Sequence, residues 1–268
     1  MKIAAIQLNS REDKQVNLNK AVTFIEKAAN DGAELVSLPE YFNFMGEESK
    51  KKVNAESIPD GETTTVLSQL AKKHNIFIHV GSILEKYSEE KSYNTSFIIG
   101  QNGEILDKYR KVHLFDIEIE DMPAYKESDT IQAGDSPVLV DLPIGKAGLS
   151  ICYDLRFSEL YRNYALNGAK VLFIPAAFTL YTGMLHWEVL LRARAIENQC
   201  YVVAAGQFGN NLPGKACYGN SMIIDPWGTV IARAPEGEGY ILADIDVSSV
   251  NTARESIPCL SHRRPNVY

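Results

Sequence analysis

The stretch KAGLSICYDLRF at residues 146–157 decides the reading of this chain. Residues 146–151 have the character of a short buried strand, and residues 156–167 repeat apolar side chains at Phe157, Leu160, Tyr164 and Leu166 as an amphipathic helix does. Cys152 therefore stands where a strand turns into a helix, the geometry that presents a nucleophile. Unpaired backbone N–H groups at a helix N-terminus favour a thiolate and can donate to an oxyanion. A lone buried cysteine more often only packs, so the rest of the chain has to decide.

Outward from that segment, runs rich in Ile, Val and Tyr predict strands at 2–8, 34–38, 76–82, 94–99, 105–109, 138–141, 147–151, 171–174, 201–207, 219–224, 230–233 and 240–245. Helical periodicity occupies 15–29, 63–74, 156–167 and 185–198. The alternation predicts an α/β fold with helices outside and sheets inside. The turns Gln101-Asn102-Gly103-Glu104 and Pro226-Trp227-Gly228-Thr229 add hairpins, and hence antiparallel pairs. A four-layer α-β-β-α sandwich houses that many strands and helices, and one domain over 1–268 is the simplest organisation.

A formal charge of −7, from 27 basic and 34 acidic residues, argues against nucleic acid or an anionic membrane as the partner. A small-molecule substrate fits better. Cys152, Cys200, Cys217 and Cys259 show no CxxC spacing, which implies a reducing, cytoplasmic setting. The N-terminal apolar stretch is interrupted at Asn9, Ser10 and Arg11, too early for a signal-peptide core, and no run is long enough to span a membrane.

Two further residues stand at strand ends. Glu40 closes AELVSLPE (33–40), at the lip where open α/β sheets bind ligands, although a Glu after Pro is on its own more at home in a surface loop. Lys111 follows the strand at 105–109. A basic run is commonly a solvated edge, but His113-Leu114-Phe115 pulls this one inward. Histidines at 74, 79, 113, 186 and 262 leave a Cys-His hydrolase as the rival, with His113 and His186 closest to the motif segments. They show no HxxxH or clustered carboxylate spacing of a metal site.

LPEYF, YRKVHLF and ICYDLRF occur in that order, and with them the chain resembles the nitrilase (carbon-nitrogen hydrolase) superfamily over essentially its whole length. The resemblance implies a catalytic set of Glu40 as base, Lys111 as oxyanion partner and Cys152 as nucleophile. A fourth member, Glu127 in AYKESDTIQAG, would hold the lysine and substrate. Chemistry supports the same roles: a thiolate attacks an amide carbon, a carboxylate moves the proton, and Lys111 with the Tyr153 backbone N–H stabilises the oxyanion. No metal or organic cofactor is implied.

PAAFT, TGMLHWEVLLRARAIENQCYVVAA, YGNSMIIDPWG and SHRRPNVY are similar to segments of small amidases, first those that act on deaminated glutathione and second omega-amidases. Either substrate needs a cation opposite a carboxylate, a role for Arg156, while Thr179 offers a hydroxyl. The alternatives are an Arg156 paired with Asp154 or solvent, and a Thr179 that caps the following helix. Met184 and Leu185 replace the Pro-Ala that related amidases often carry, and are expected to reshape the pocket rim. The helix at 185–198 is apolar on more than one face, as in a buried helix, and the resemblance adds that helices after the nucleophile commonly form a dimer interface. The competing classes are a binding protein without turnover, which the presence of Glu40, Lys111 and Cys152 opposes, an N-carbamoyl hydrolase with the same catalytic set, and, least favoured, a nitrile hydrolase.

Overall fold

The structure is a computed structural model that describes residues 1–118, 125–212 and 214–267. Ala124 and Tyr268, at the ends of two of the quoted motif segments, lie outside the described residues. The first half runs β1 (Lys2–Gln7), α1 (Lys14–Asn30), β2 (Leu35–Ser37), α2 (Glu48–Asn54), α3 (Glu62–His74), β3 (Phe77–Lys86), β4 (Ser92–Ile99) and β5 (Ile105–Arg110). A small ribbon of β6 (Asp116–Ile117) and β7 (Tyr125–Lys126) precedes β8 (Leu139–Leu142), β9 (Gly145–Leu149), α4 (Ser158–Leu166), β10 (Ala169–Phe173), α5 (Leu180–Asn198) and β11 (Tyr201–Ala204). Then follow β12 (Phe208–Leu212), β13 (Lys215–Tyr218), β14 (Met222–Ile224), β15 (Val230–Arg233), β16 (Gly239–Asp244) and α6 (Ser248–Ser256).

Two six-stranded sheets form, in the orders β16-β1-β2-β3-β4-β5 and β15-β14-β11-β10-β9-β8. Each has three parallel strands at its centre, β1-β2-β3 and β9-β10-β11, with antiparallel strands outside them. Strand side chains alternate between faces, and the alternation sorts the core into layers. Ile3 and Ala5 of β1 meet Leu149, Val171 and Phe173 between the sheets, while Ala4 and Ile6 turn outward to Leu18, Ile25 and Leu67 on α1 and α3. In the second sheet Leu172 and Ile174 face Tyr161, Trp187 and Leu191 on α4 and α5. Both faces of both sheets are covered, which is why the strands read as continuous apolar runs. The result is the expected α-β-β-α sandwich.

Both anticipated hairpins are present, joining β4 to β5 and β14 to β15. Their glycines, Gly103 at φ 79° and Gly228 at φ 84°, take the left-handed backbone that other residues adopt with strain. The expected helix at 156–167 is instead a 3-10 turn at Cys152–Arg156 followed by α4 from Ser158, because the Asp154 carboxylate accepts from Ile151 N at 2.8 Å and ties the turn to the strand end. The expected strand at 219–224 is confined to β14, since Gly219 (φ 69°) and Asn220 (φ 54°) break the extended backbone. Helix α5 starts at Leu180, before the apolar periodicity that marks 185–198. It is not buried all round: Trp187, Leu191 and Ala195 are fully covered, whereas Tyr181, Leu185 and Val189 are exposed. No helix among the described residues is long and apolar enough to cross a membrane.

Between the sheets, Phe173 stacks on His79 with centroids 4.4 Å apart. The two ring nitrogens of His79 engage Ser37 Oγ (2.8 Å) and Ser96 Oγ (2.9 Å), and burial pushes its pKa down to about 3, so the ring is neutral. Phe173→Ala opens a cavity at the centre of this layer and is expected to destabilise the fold by about 4 kcal/mol. Urea unfolding checks this, and a loss below about 1 kcal/mol would contradict the packing described.

Candidate active site

The carboxyl ends of β2 and β9, a central strand of each sheet, open at the same end of the sandwich. Glu40 follows β2 through Leu38-Pro39, and the next residue, Tyr41, has φ 53°. Cys152 follows β9 and itself has φ 49°. Non-glycine residues in this region are held there by their surroundings and cluster at functional sites. Cys152 is fixed by its N–H, which donates to Pro175 O at 2.9 Å, and Tyr41 by its N–H, which donates to Ser82 Oγ at 3.0 Å. Lys111 lies one residue beyond β5, its N–H bonded to Asn94 O of β4 at 2.9 Å. Glu127 opens the 3-10 turn after β7.

These four residues line a single cavity of about 670 Å³. Lys111 Nζ donates to Glu40 Oε1 at 3.1 Å and to Glu127 Oε1 and Oε2 at 3.1 and 2.9 Å. All three charged side chains are buried. Glu40 also accepts from Asn94 Nδ2 at 2.9 Å and from Ala177 N at 2.7 Å, so a loop of the second sheet grips a carboxylate carried by the first. Glu127 accepts from Tyr41 Oη at 3.0 Å and Phe115 N at 2.8 Å. The Glu40 carboxylate and the Cys152 thiol face the same cavity, and the Glu40 charge acts on the thiol.

Burial opposes the charge on Lys111, but the Glu127 and Glu40 carboxylates beside it hold its pKa well above the usual lysine range. Burial likewise opposes ionisation of Glu127, and Lys111 overcomes it and keeps the carboxyl below its ordinary value. Burial and the Glu40 charge push the Cys152 thiol well up, against the pull of Lys111. The thiol thus rests protonated, contrary to the thiolate that a helix N-terminus alone suggests. Tyr153 N–H donates to no group among the described residues and follows the sulfur directly in the chain.

Asp154 is fully buried and not paired with Arg156. It accepts from Tyr109 Oη (2.8 Å), His113 N (3.0 Å) and His113 Nδ1 (2.7 Å), linking the Cys152 turn to the Lys111 segment. His113 stacks on Phe157 at 3.7 Å, and His186 engages Arg156 at 3.3 Å; neither is among the cavity-lining residues. Arg156 does line the cavity, its guanidinium 5.3 Å from the Phe178 ring centroid. Thr179 lines it too, sharing a 2.7 Å hydrogen bond with Thr182 and making no capping bond to α5. Of the two residues that replace Pro-Ala, Met184 reaches the cavity and Leu185 does not.

The sequence reading missed Asn94, Tyr41 and the linking role of Asp154. An asparagine inside a strand, a position where that residue is depleted, was the available signal for Asn94; the other two depend on contacts across 86 and 45 residues of chain, which no local pattern carries.

A carbon-nitrogen hydrolase family profile matches residues 2–255. The deaminated glutathione amidase of Synechocystis sp. is 45% identical over 97% of this chain and 97% of its own length. The omega-amidase of Homo sapiens is 41% identical over all of this chain and 96% of its own. The crystal structure of the C. elegans NitFhit protein superposes with a TM-score of 0.95 at 44% identity, covering all of this chain and 66% of that one. That nitrilase and fragile histidine triad fusion protein is longer, and this chain spans 61% of its curated length. On this evidence, and on the fold it shares, the chain belongs to the carbon-nitrogen hydrolase family, whose members hydrolyse C–N bonds other than peptide bonds.

Proposed function

We propose that this chain is a cysteine amidase of small carboxylated substrates, acting first on deaminated glutathione and second on 2-oxoglutaramate, with residues 1–268 forming one hydrolase domain. The convergence of one thiol, one ammonium and two carboxylates on one cavity carries the reading. The similarity to both named amidases supports both substrates.

In this mechanism Glu40 takes the Cys152 proton as sulfur attacks the amide carbon, and Lys111 Nζ with Tyr153 N–H holds the oxyanion. Collapse breaks the C–N bond, the amine leaves with the proton from Glu40, and a thioester remains. Glu40 then takes a proton from water, the hydroxide equivalent adds to the thioester, and the thiolate leaves and regains its proton. Glu127 keeps Lys111 charged and in place. Arg156 pairs with the acyl carboxylate, and Thr179 adds a hydroxyl at the rim.

The four cysteines are free thiols, which supports a cytoplasmic setting. The exposed apolar stripe of α5 supports a homodimer through that helix. Solution mass at micromolar concentration is expected to be that of a dimer, and Val189→Asp is expected to shift it to monomer; a monomeric parent protein overturns this assembly.

A substrate panel tests the function: deaminated glutathione, 2-oxoglutaramate, an N-carbamoyl amino acid and an aliphatic nitrile. Hydrolysis of either of the first two is expected, and carbon dioxide release from the third without either of those would reassign the enzyme. Cys152→Ala is expected to lower turnover at least about 10⁴-fold with the fold intact. Glu40→Gln should cost about 10²- to 10⁴-fold while a small electrophile still labels Cys152. Near-parental turnover in either variant sinks the assigned role.

Lys111→Met leaves Glu40 and Glu127 buried without their cation, at a cost of about 3–5 kcal/mol. In the parent protein the depressed Glu127 pKa contributes stability above its unfolded value of about 4.3 and loses it as pH falls lower. The raised Lys111 pKa contributes below about 10.4 and is lost only as pH climbs through its higher folded value. The deficit of the variant is therefore expected to be full from about pH 6 to 10 and to shrink in acid, where the unpaired carboxyls protonate. Urea midpoints at several pH values check this, and a deficit that grows in acid contradicts it.

A further inference from the structure

Four cations stand on the cavity wall among the described residues: Lys51, Lys111, Arg156 and Lys215. Two are neutralised in place. Lys111 has Glu40 and Glu127, and Lys51 has Glu48 at 2.8 Å with the Tyr125 hydroxyl at 3.2 Å. The other two have no carboxylate partner among the described residues. Among the described residues Arg156 engages only the His186 ring and aromatic faces, and Lys215 Nζ stands 4.8 Å from the Tyr125 ring centroid. The Tyr125 hydroxyl is itself used by Glu48 and Lys51, so the ring is held as a fixed platform beneath Lys215.

Lys215 is also held over the cavity by its backbone. It begins β13, which pairs with β12, and the ribbon is anchored to the cavity wall by the Thr179–Cys217 bridge and by Tyr218 N donating to Phe178 O at 2.9 Å. A cation without a carboxylate partner among the described residues, positioned over a largely apolar cavity, marks where an anionic group of the ligand is met. Two such cations imply two anionic groups. Arg156 sits in the same turn as the nucleophile, whereas Lys215 is exposed on the ribbon.

We propose that Lys215, with the Tyr125 ring beneath it, is the subsite for a second carboxylate carried on the leaving-group side of the substrate. The inference rests on the amidase reading above and deepens it. Deaminated glutathione and 2-oxoglutaramate form the same 2-oxoglutaryl thioester on Cys152, so nothing on the acyl side distinguishes them. They differ in what departs: cysteinylglycine, which ends in a carboxylate, or ammonia, which has none. Lys215 therefore selects the substrate with a peptide-like, acid-terminated leaving group, and it acts before the C–N bond breaks.

The experiment compares Lys215→Met and Lys215→Glu with the parent enzyme on deaminated glutathione, on its C-terminal amide and on 2-oxoglutaramate. For Lys215→Met the ratio of kcat/KM for deaminated glutathione to that for 2-oxoglutaramate is expected to fall about five-fold, the size of one solvent-accessible ion pair, chiefly through KM. Lys215→Glu should deepen the loss. The C-terminal amide should show the same loss with the parent enzyme and no further loss with Lys215→Met, as expected of two partners in one contact. Equal losses on deaminated glutathione and 2-oxoglutaramate, or an unchanged ratio, overturn the subsite and leave the amidase reading standing. A parent enzyme silent toward deaminated glutathione overturns this inference together with the first-named substrate.

Discussion

One buried ammonium shared by two buried carboxylates is the constraint on which the site depends. With Glu40 and Glu127 ionised, Lys111 protonated and the thiol intact, the cluster carries one excess negative charge. In the proposed mechanism, moving a proton from Cys152 to Glu40 does not change that total; it shifts the charge from a carboxylate to sulfur, and attack shifts it again to the substrate oxygen. Lys111 touches both carboxylates and lines the same cavity as Cys152, so on that proposal the charge moves beside a cation already in place. The same charges are costly to bury unpaired, so stability and chemistry require the same register between β2, β5 and the turn after β7.

That register is set by contacts between parts of the chain far apart in sequence. Ala177 N of the second sheet holds Glu40 of the first at 2.7 Å. Asp154, two residues after Cys152, accepts from Tyr109 and His113 on either side of Lys111. Each contact spans the two sheets, and the inter-sheet layer around Phe173 and His79 keeps their spacing. The left-handed backbones of Tyr41 and Cys152 are the local cost of turning both chains sharply into the same cavity.

Much of this was legible in the sequence because the relevant signals are local. Strands covered on both faces must be apolar throughout, so β1, β3, β10 and β11 could be read as runs, and the glycines at 103 and 228 marked hairpins. Glu40, Lys111 and Cys152 each follow an apolar strand, so each could be found from its own neighbourhood. What the sequence concealed is non-local or geometric. The 3-10 turn at Cys152–Arg156 depends on the Asp154 side chain, and the break at Gly219-Asn220 on two positive φ angles. Helix α5 was expected to be buried because its composition is apolar on several faces. Composition does not say which faces another element covers, and Val189 and Leu185 are left bare.

The resting protonation of Cys152 is the least legible property and the most consequential. From the sequence, a thiol at the start of a helical turn suggests a thiolate; in the structure, burial and then the Glu40 carboxylate reverse that tendency. A protonated thiol is a poor nucleophile until a substrate arrives whose carbonyl can accept the displaced charge beside Lys111. On the proposed mechanism the site thereby ties formation of the reactive sulfur to occupancy of the oxyanion position, which limits adventitious chemistry in the cavity. If the wall cations bind as proposed, the selectivity of such a site is set less by the reactivity of the sulfur than by which ligand those cations hold long enough for the proton to move.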